Sequence, residues 1–199
     1  MGIDRDRIER VVREVLKERD AAPVRPGART ADAPSGEGAG GSVGRGALIA
    51  IGADHGGFAL KEALRAYLSE ELGYRVKDVG THSAASCDYP DFAVKVARAV
   101  ASGECVRGIM IDGAGIGSSM AANRVPGVLA ACCHDVATVV NSREHNNANV
   151  LTMGSAVVGR GLARQMVRVW LSTEFGGGRH DRRVRKILDL EKGWNGTSS

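Results

Sequence analysis

Five short runs rich in Ile, Val, Leu and Ala alternate with stretches of helical periodicity between residues 47 and 173, and that alternation leaves few folds open. ALIAIGA (47–53), YRVKDVG (74–80), RGIMIDG (107–113), VLAACCH (128–134) and VLTMGSA (150–156) read as strands. FALKEALRAYLSEELG (58–73), YPDFAVKVARAVASG (89–103), IGSSMAANR (116–124), DVATVVNSREHN (135–146) and GRGLARQMVRVWLST (159–173) read as helices, the first two closed by Gly73 and Gly103. Strands joined by helices of this length predict an α/β three-layer sandwich, with a parallel five-stranded sheet and helices on both faces. Right-handed crossovers then gather the strand-to-helix turns on the carboxyl edge, where open α/β sheets bind ligands. RRVRKILDLEK (182–192) predicts a last helix that needs a partner surface, and residues 192–199 a flexible tail.

Ahead of this domain, assigned to residues 47–191, IDRDRIERVVREVLKERD (3–20) puts Ile8, Val11, Val12, Val15 and Leu16 on one stripe of an amphipathic helix, assigned to residues 1–20. Residues 21–46 are so rich in Pro, Gly, Ala and Ser that they read as a disordered linker. Charges throughout the first twenty residues exclude a secretion signal, and no apolar run is long enough to span a bilayer, so a cytoplasmic protein is expected. Four cysteines without a CxxC pair or zinc-ligand spacing suit reduced thiols and no metal. A net charge of +4 with only 4% aromatic residues and no basic run interleaved with aromatics argues against nucleic-acid binding.

Four segments carry unusual polar content on or near the carboxyl edge. In GADHGGF, Asp54 and His55 follow the first strand, where Asp54 suits a helix N-cap as well as a ligand. In GIMIDGAGIGSSMAAN (108–123) the third strand delivers Asp112 to a loop whose glycines, Gly113, Gly115 and Gly117, expose backbone donors able to meet an anion. Its spacing departs from the dinucleotide fingerprint, so no nucleotide cofactor is expected. SREHNNAN (142–149) groups His145 with three asparagines, among them Asn146. In GGGRHDRRVRK (176–186), a run that otherwise reads as a solvated face, Arg179 and Arg183 stand four apart and share a helix face suited to bidentate phosphate contacts.

GADHGGFALKEAL, CDYPDFA, GAGIGSSMAANRVPGV, REHNNANVL and GGRHDRRV together resemble, in order and spacing, the ribose-5-phosphate isomerase B family with its galactose-6-phosphate isomerase relatives. The resemblance implies a Rossmann-like domain that interconverts an aldose phosphate and a ketose phosphate through an enediol, without cofactor or metal. Ribose 5-phosphate and ribulose 5-phosphate are the implied pair, and the active site is shared between subunits of a homodimer or tetramer. By resemblance His145 assists ring opening, Asp54 lies near the sugar hydroxyls, and Tyr89 lines the sugar pocket. Asn146 and the backbone amides of Gly113, Gly115 and Gly117 would stabilise the enediolate. Arg179 and Arg183 of the neighbouring subunit would grip the phosphate together with His55.

The departures fall at the base. Many members carry cysteine at the place of Asp112 and threonine at the place of Ala114, and others use a glutamate whose place falls near Ser118. Asp112 is then the only carboxylate in the loop, and proton abstraction falls to it. Relatives also often have arginine at the place of Ala156. These changes leave open a shifted sugar phosphate, or an isomerase fold that binds the sugar with little turnover. The helix at 3–20 resembles the encapsulation peptides that direct enzymes into bacterial microcompartments, so a shell protein is one expected partner. Packing on its own dimer is the alternative, and six basic and six acidic residues in the first twenty disfavour a membrane surface.

Overall fold

The computed structural model describes residues 41–194, the last three by backbone alone. The amphipathic helix expected at 1–20, the linker up to residue 40 and the tail from 195 lie outside the described residues.

Five strands, β1 (Leu48–Ala53), β2 (Arg75–Asp78), β3 (Arg107–Asp112), β4 (Ala130–Cys132) and β5 (Val150–Gly154), form one sheet in the order β2-β1-β3-β5-β4, every pair parallel. The helices are α1 (Phe58–Ala66), α2 (Tyr89–Ala101), α3 (Ile116–Ala122), α4 (Val136–Glu144), α5 (Arg160–Ser172) and α6 (Arg179–Trp194). β3 and β5 are buried along their whole length, which is why they read as continuous apolar runs rather than alternating ones.

Alternate residues of these strands feed two cores. Ile49, Ile51, Ile109, Ile111, Leu151 and Met153 pack with Leu64 of α1 and Met166 and Trp170 of α5 on one face. Ala50, Met110 and Val150 meet Val96, Ala97 and Val100 of α2 on the other. Helices thus cover both faces, and the turns that follow the strands share one edge. Lys61, fully buried in α1, ties that helix to β2 through Asp78.

Four boundaries differ from the sequence reading. The helix expected at 58–73 is α-helical only to Ala66 and continues as a π-helical turn, Tyr67–Glu71. β4 shrinks to three residues, a short edge strand of the kind that resists pairing with other chains. The last helix starts at Arg179, because Gly177 and Gly178 take left-handed φ of 58° and 55° and turn the chain into it, and it runs on into the expected tail. Residues 41–46 are not linker but part of the domain. Val43 N–H donates to Leu171 O at 2.9 Å, the Tyr74 hydroxyl donates to Val43 O at 2.9 Å, and Val43 packs on the core. A few specific bonds at the amino edge outweigh that segment's poor apolar content.

Candidate active site

The turn after β1 places Asp54 and His55. Asp54 is buried, and its Oδ1 accepts the Gly57 N–H at 2.9 Å, shaping the entry into α1 as an N-capping aspartate would. His55 is exposed, with Nδ1 3.2 Å from both the amide nitrogen and the carbonyl oxygen of Cys87. A backbone N–H can only donate, so if that contact is the bond made, Nδ1 accepts and Nε2 carries the proton toward solvent.

The loop after β3 is built around Asp112. Its carboxylate is 4% exposed and accepts four hydrogen bonds from its own loop and from the first turn of α3. Oδ1 takes the N–H groups of Ala114, at 2.8 Å, and Gly115. Oδ2 takes the N–H of Ser118 at 3.1 Å and its hydroxyl at 2.5 Å. Asp112 is therefore both the only carboxylate of the loop and the group that holds the loop in shape. The Gly115 amide, expected to face the enediolate, is committed to Asp112 instead.

The strands below brace this loop. The Thr152 hydroxyl of β5 donates to Gly115 O at 2.7 Å, and His134 Nε2, just past β4, lies 3.0 Å from Ala114 O. Gly115 has φ +81°, open to glycine and costly for other residues. Gly117 meets a different demand, since a Cβ there would lie 2.6 Å from the Tyr89 ring. The ring of Tyr89, 39% exposed at the start of α2, thus lies against the loop.

His145 and the arginines form a second group. His145 caps the carboxyl end of α4, and its Nδ1 lies 2.9 Å from the Asn141 side-chain amide. With Asn141 donating there, the proton sits on His145 Nε2. The Asn146 side chain donates to Asn141 Oδ1 at 3.1 Å, so both site residues lean on one asparagine. His180 of α6 stacks on His145, with centroids 4.2 Å apart and planes within 7°. Arg179 Nε donates to His180 Nε2 at 3.4 Å. Desolvation, and then the neighbouring His145, Arg179 and Arg183, hold the His180 imidazole below the ordinary histidine range, which favours a neutral ring in the stack.

Beneath this group Arg143 is fully buried, bonding Asn147 Oδ1 at 3.0 Å and Ala148 O at 2.6 Å, and burial pulls its guanidinium down to about 10. It fixes the turn in which Asn147 takes φ +50°, just past Asn146.

Among the described residues no hydrogen bond, ion pair or ring contact joins the two groups. Asp54, His55, Tyr89 and the Asp112 loop gather at the ends of β1 and β3, whereas His145, Asn146, Arg179 and Arg183 gather where α4 ends and α6 begins. His180 and Arg143 stand inside polar segments visible in the sequence but carry no local signal that sets them apart, and Ser118, near the place of a glutamate base in some relatives, serves here as a donor to Asp112.

Fold and edge define an α/β protein with an imidazole, two carboxylates and a glycine loop gathered at the carboxyl ends of its strands, the edge where open α/β sheets bind ligands. Residues 49–187 match the Ribose/Galactose Isomerase family, and the chain belongs to that family. It is 46% identical over 144 residues to ribose-5-phosphate isomerase B of Escherichia coli, covering 72% of this chain and 96% of that protein. It is also 46% identical over 129 residues to D-erythrulose-4-phosphate isomerase 2 of Mycolicibacterium smegmatis, covering 64% of this chain and 85% of that protein. The solved structure of Clostridium thermocellum ribose-5-phosphate isomerase B aligns with a TM-score of 0.72 at 53% identity, covering 74% of this chain and 99% of that one.

Proposed function

We propose that the chain interconverts an aldose phosphate and a ketose phosphate, with ribose 5-phosphate and ribulose 5-phosphate as its pair. The observation that carries this reading is a carboxylate held inside a glycine loop, at the strand edge where the family relationship leads to a sugar-phosphate site. His145 Nε2–H serves ring opening. Asp112 then takes the proton from C2 as the C–H electron pair forms the C1–C2 double bond and the carbonyl pair moves onto O1; a proton passes from O2 to O1, and Asp112 returns its proton to C1 as O2 becomes the ketose carbonyl. Amides of Gly113 and Gly117, with Asn146, face the charge that builds on oxygen.

For that step Asp112 must release one accepted hydrogen bond. The Ser118 hydroxyl can leave by rotating about a single side-chain torsion, whereas the other three donors are backbone.

The stack of His145 on His180 ties the ring-opening group to Arg179. If the arginines come from a second copy of the chain, His145 and Asn146 come with them. Each site then combines the Asp54, His55 and Asp112 group of one copy with the histidine and arginine group of the other. The saturated Asp112 carboxylate favours a second reading, an isomerase fold that binds sugar phosphate with little turnover.

A panel of pentose and tetrose phosphates, with deuterium incorporation at C2 from D2O as readout, separates these readings. Exchange with ribose 5-phosphate supports the first, exchange confined to a tetrose phosphate moves the substrate, and binding without exchange selects the second. Residues 3–20 are proposed as the cargo signal for a microcompartment shell. Deleting residues 1–40, which spares the packed segment from 41, should abolish co-purification with shell proteins while kcat stays at the full-length value.

A further inference from the structure

A cavity of about 480 Å³ opens at the carboxyl edge beside the Asp112 loop, with Gly56, Gly113, Ser155, Ala156 and Arg160 on its wall. Arg160 is the one charged residue lining it, and no carboxylate does. The side chain is exposed and, among the described residues, makes no hydrogen bond or ion pair, so its charge is not already spent. The Ser155 hydroxyl donates to Gly56 O at 2.8 Å and joins the β1 and β5 sides of the wall.

The cavity also has a direction. Gly113 follows Asp112 and Gly56 follows His55, so a ligand whose reacting carbons lie over the loop can send its other end toward Arg160. The first turns of α1 and α5, which contribute Ala59 and Arg160 to the wall, hold no acidic residue, so no fixed negative charge from these turns competes for the guanidinium.

We infer that Arg160 binds the phosphate group of the substrate, an inference that rests on the sugar-phosphate reading above. A guanidinium there offers a phosphate two parallel N–H donors from the same chain as His55, and it would act beside Arg179 and Arg183 of a second copy.

The test is Arg160→Gln in the full chain, titrated with inorganic phosphate and followed by ³¹P NMR. The dissociation constant for phosphate is expected to rise roughly 10- to 100-fold, the loss of one charge-assisted contact. KM for ribose 5-phosphate should rise in step while kcat holds. Adding Ala156→Arg, which puts a guanidinium on the same wall, should restore part of the loss. Unchanged phosphate binding in Arg160→Gln overturns the inference. Because that titration needs no turnover, a wild-type protein that binds phosphate but exchanges no C2 proton removes the isomerase reading and leaves the role of Arg160 standing.

Discussion

Asp112→Asn should lower kcat by about 10³-fold, the middle of the range that a positioned general base supplies, and C2 deuterium exchange should fall with it. Asparagine keeps the size of the side chain but offers one acceptor oxygen where the loop needs two. If its amide nitrogen faces Ala114 and Gly115, two backbone donors lose their acceptor. If it faces Ser118, the hydroxyl can turn and accept, and only the Ser118 N–H is stranded. The second orientation is therefore preferred, at a cost of about 1–3 kcal/mol for one buried unpaired donor.

Thermal unfolding and phosphate titration, run beside the exchange assay, separate the two roles of Asp112. Lost exchange with near-normal phosphate binding identifies the base. A variant that exchanges like the wild type but melts early assigns Asp112 to holding the loop and sends the search for a base elsewhere.

Gly115→Ala should cost stability on a larger scale. Its φ of +81° penalises any side chain, and the added Cβ would lie 2.8 Å from the carbonyl carbon of Met153 and 3.0 Å from Cys132 Sγ. Met153 belongs to the fully buried β5, whose backbone cannot retreat without breaking its pairing with β3. Left-handed strain of about 1–2 kcal/mol adds to the overlap, and a total loss of about 4 kcal/mol fits the range for strained buried positions. For a domain of this size that is a fall in Tm of roughly 10 °C, measurable by calorimetry. An unchanged Tm would mean that the loop accepts another conformation.

The parallel sheet and the edge positions of Asp54, His55 and Asp112 were legible in the sequence because they depend on local pattern. Buried parallel strands must be apolar, and a polar residue that ends such a run falls at the strand's carboxyl end. What escaped depends on contacts between distant residues. The stack of His145 on His180 joins positions 35 apart in the chain, and no local period announces it. Residues 41–46 read as linker because composition cannot register that Val43 meets Leu171 and Tyr74. The fourfold bonding of Asp112 needed the loop's path, since the residues that permit Asp112 to be a free base are the same ones that permit it to be an anchor.

The first described residues bear on how the protein can be handled. The Arg107 side chain, where β3 starts, donates to Gly41 O at 3.3 Å, so the chain enters the domain at the rim opposite the glycine loop. A fusion partner, affinity handle or solid support joined directly to residue 41 would therefore be attached at the rim away from the Asp112 loop.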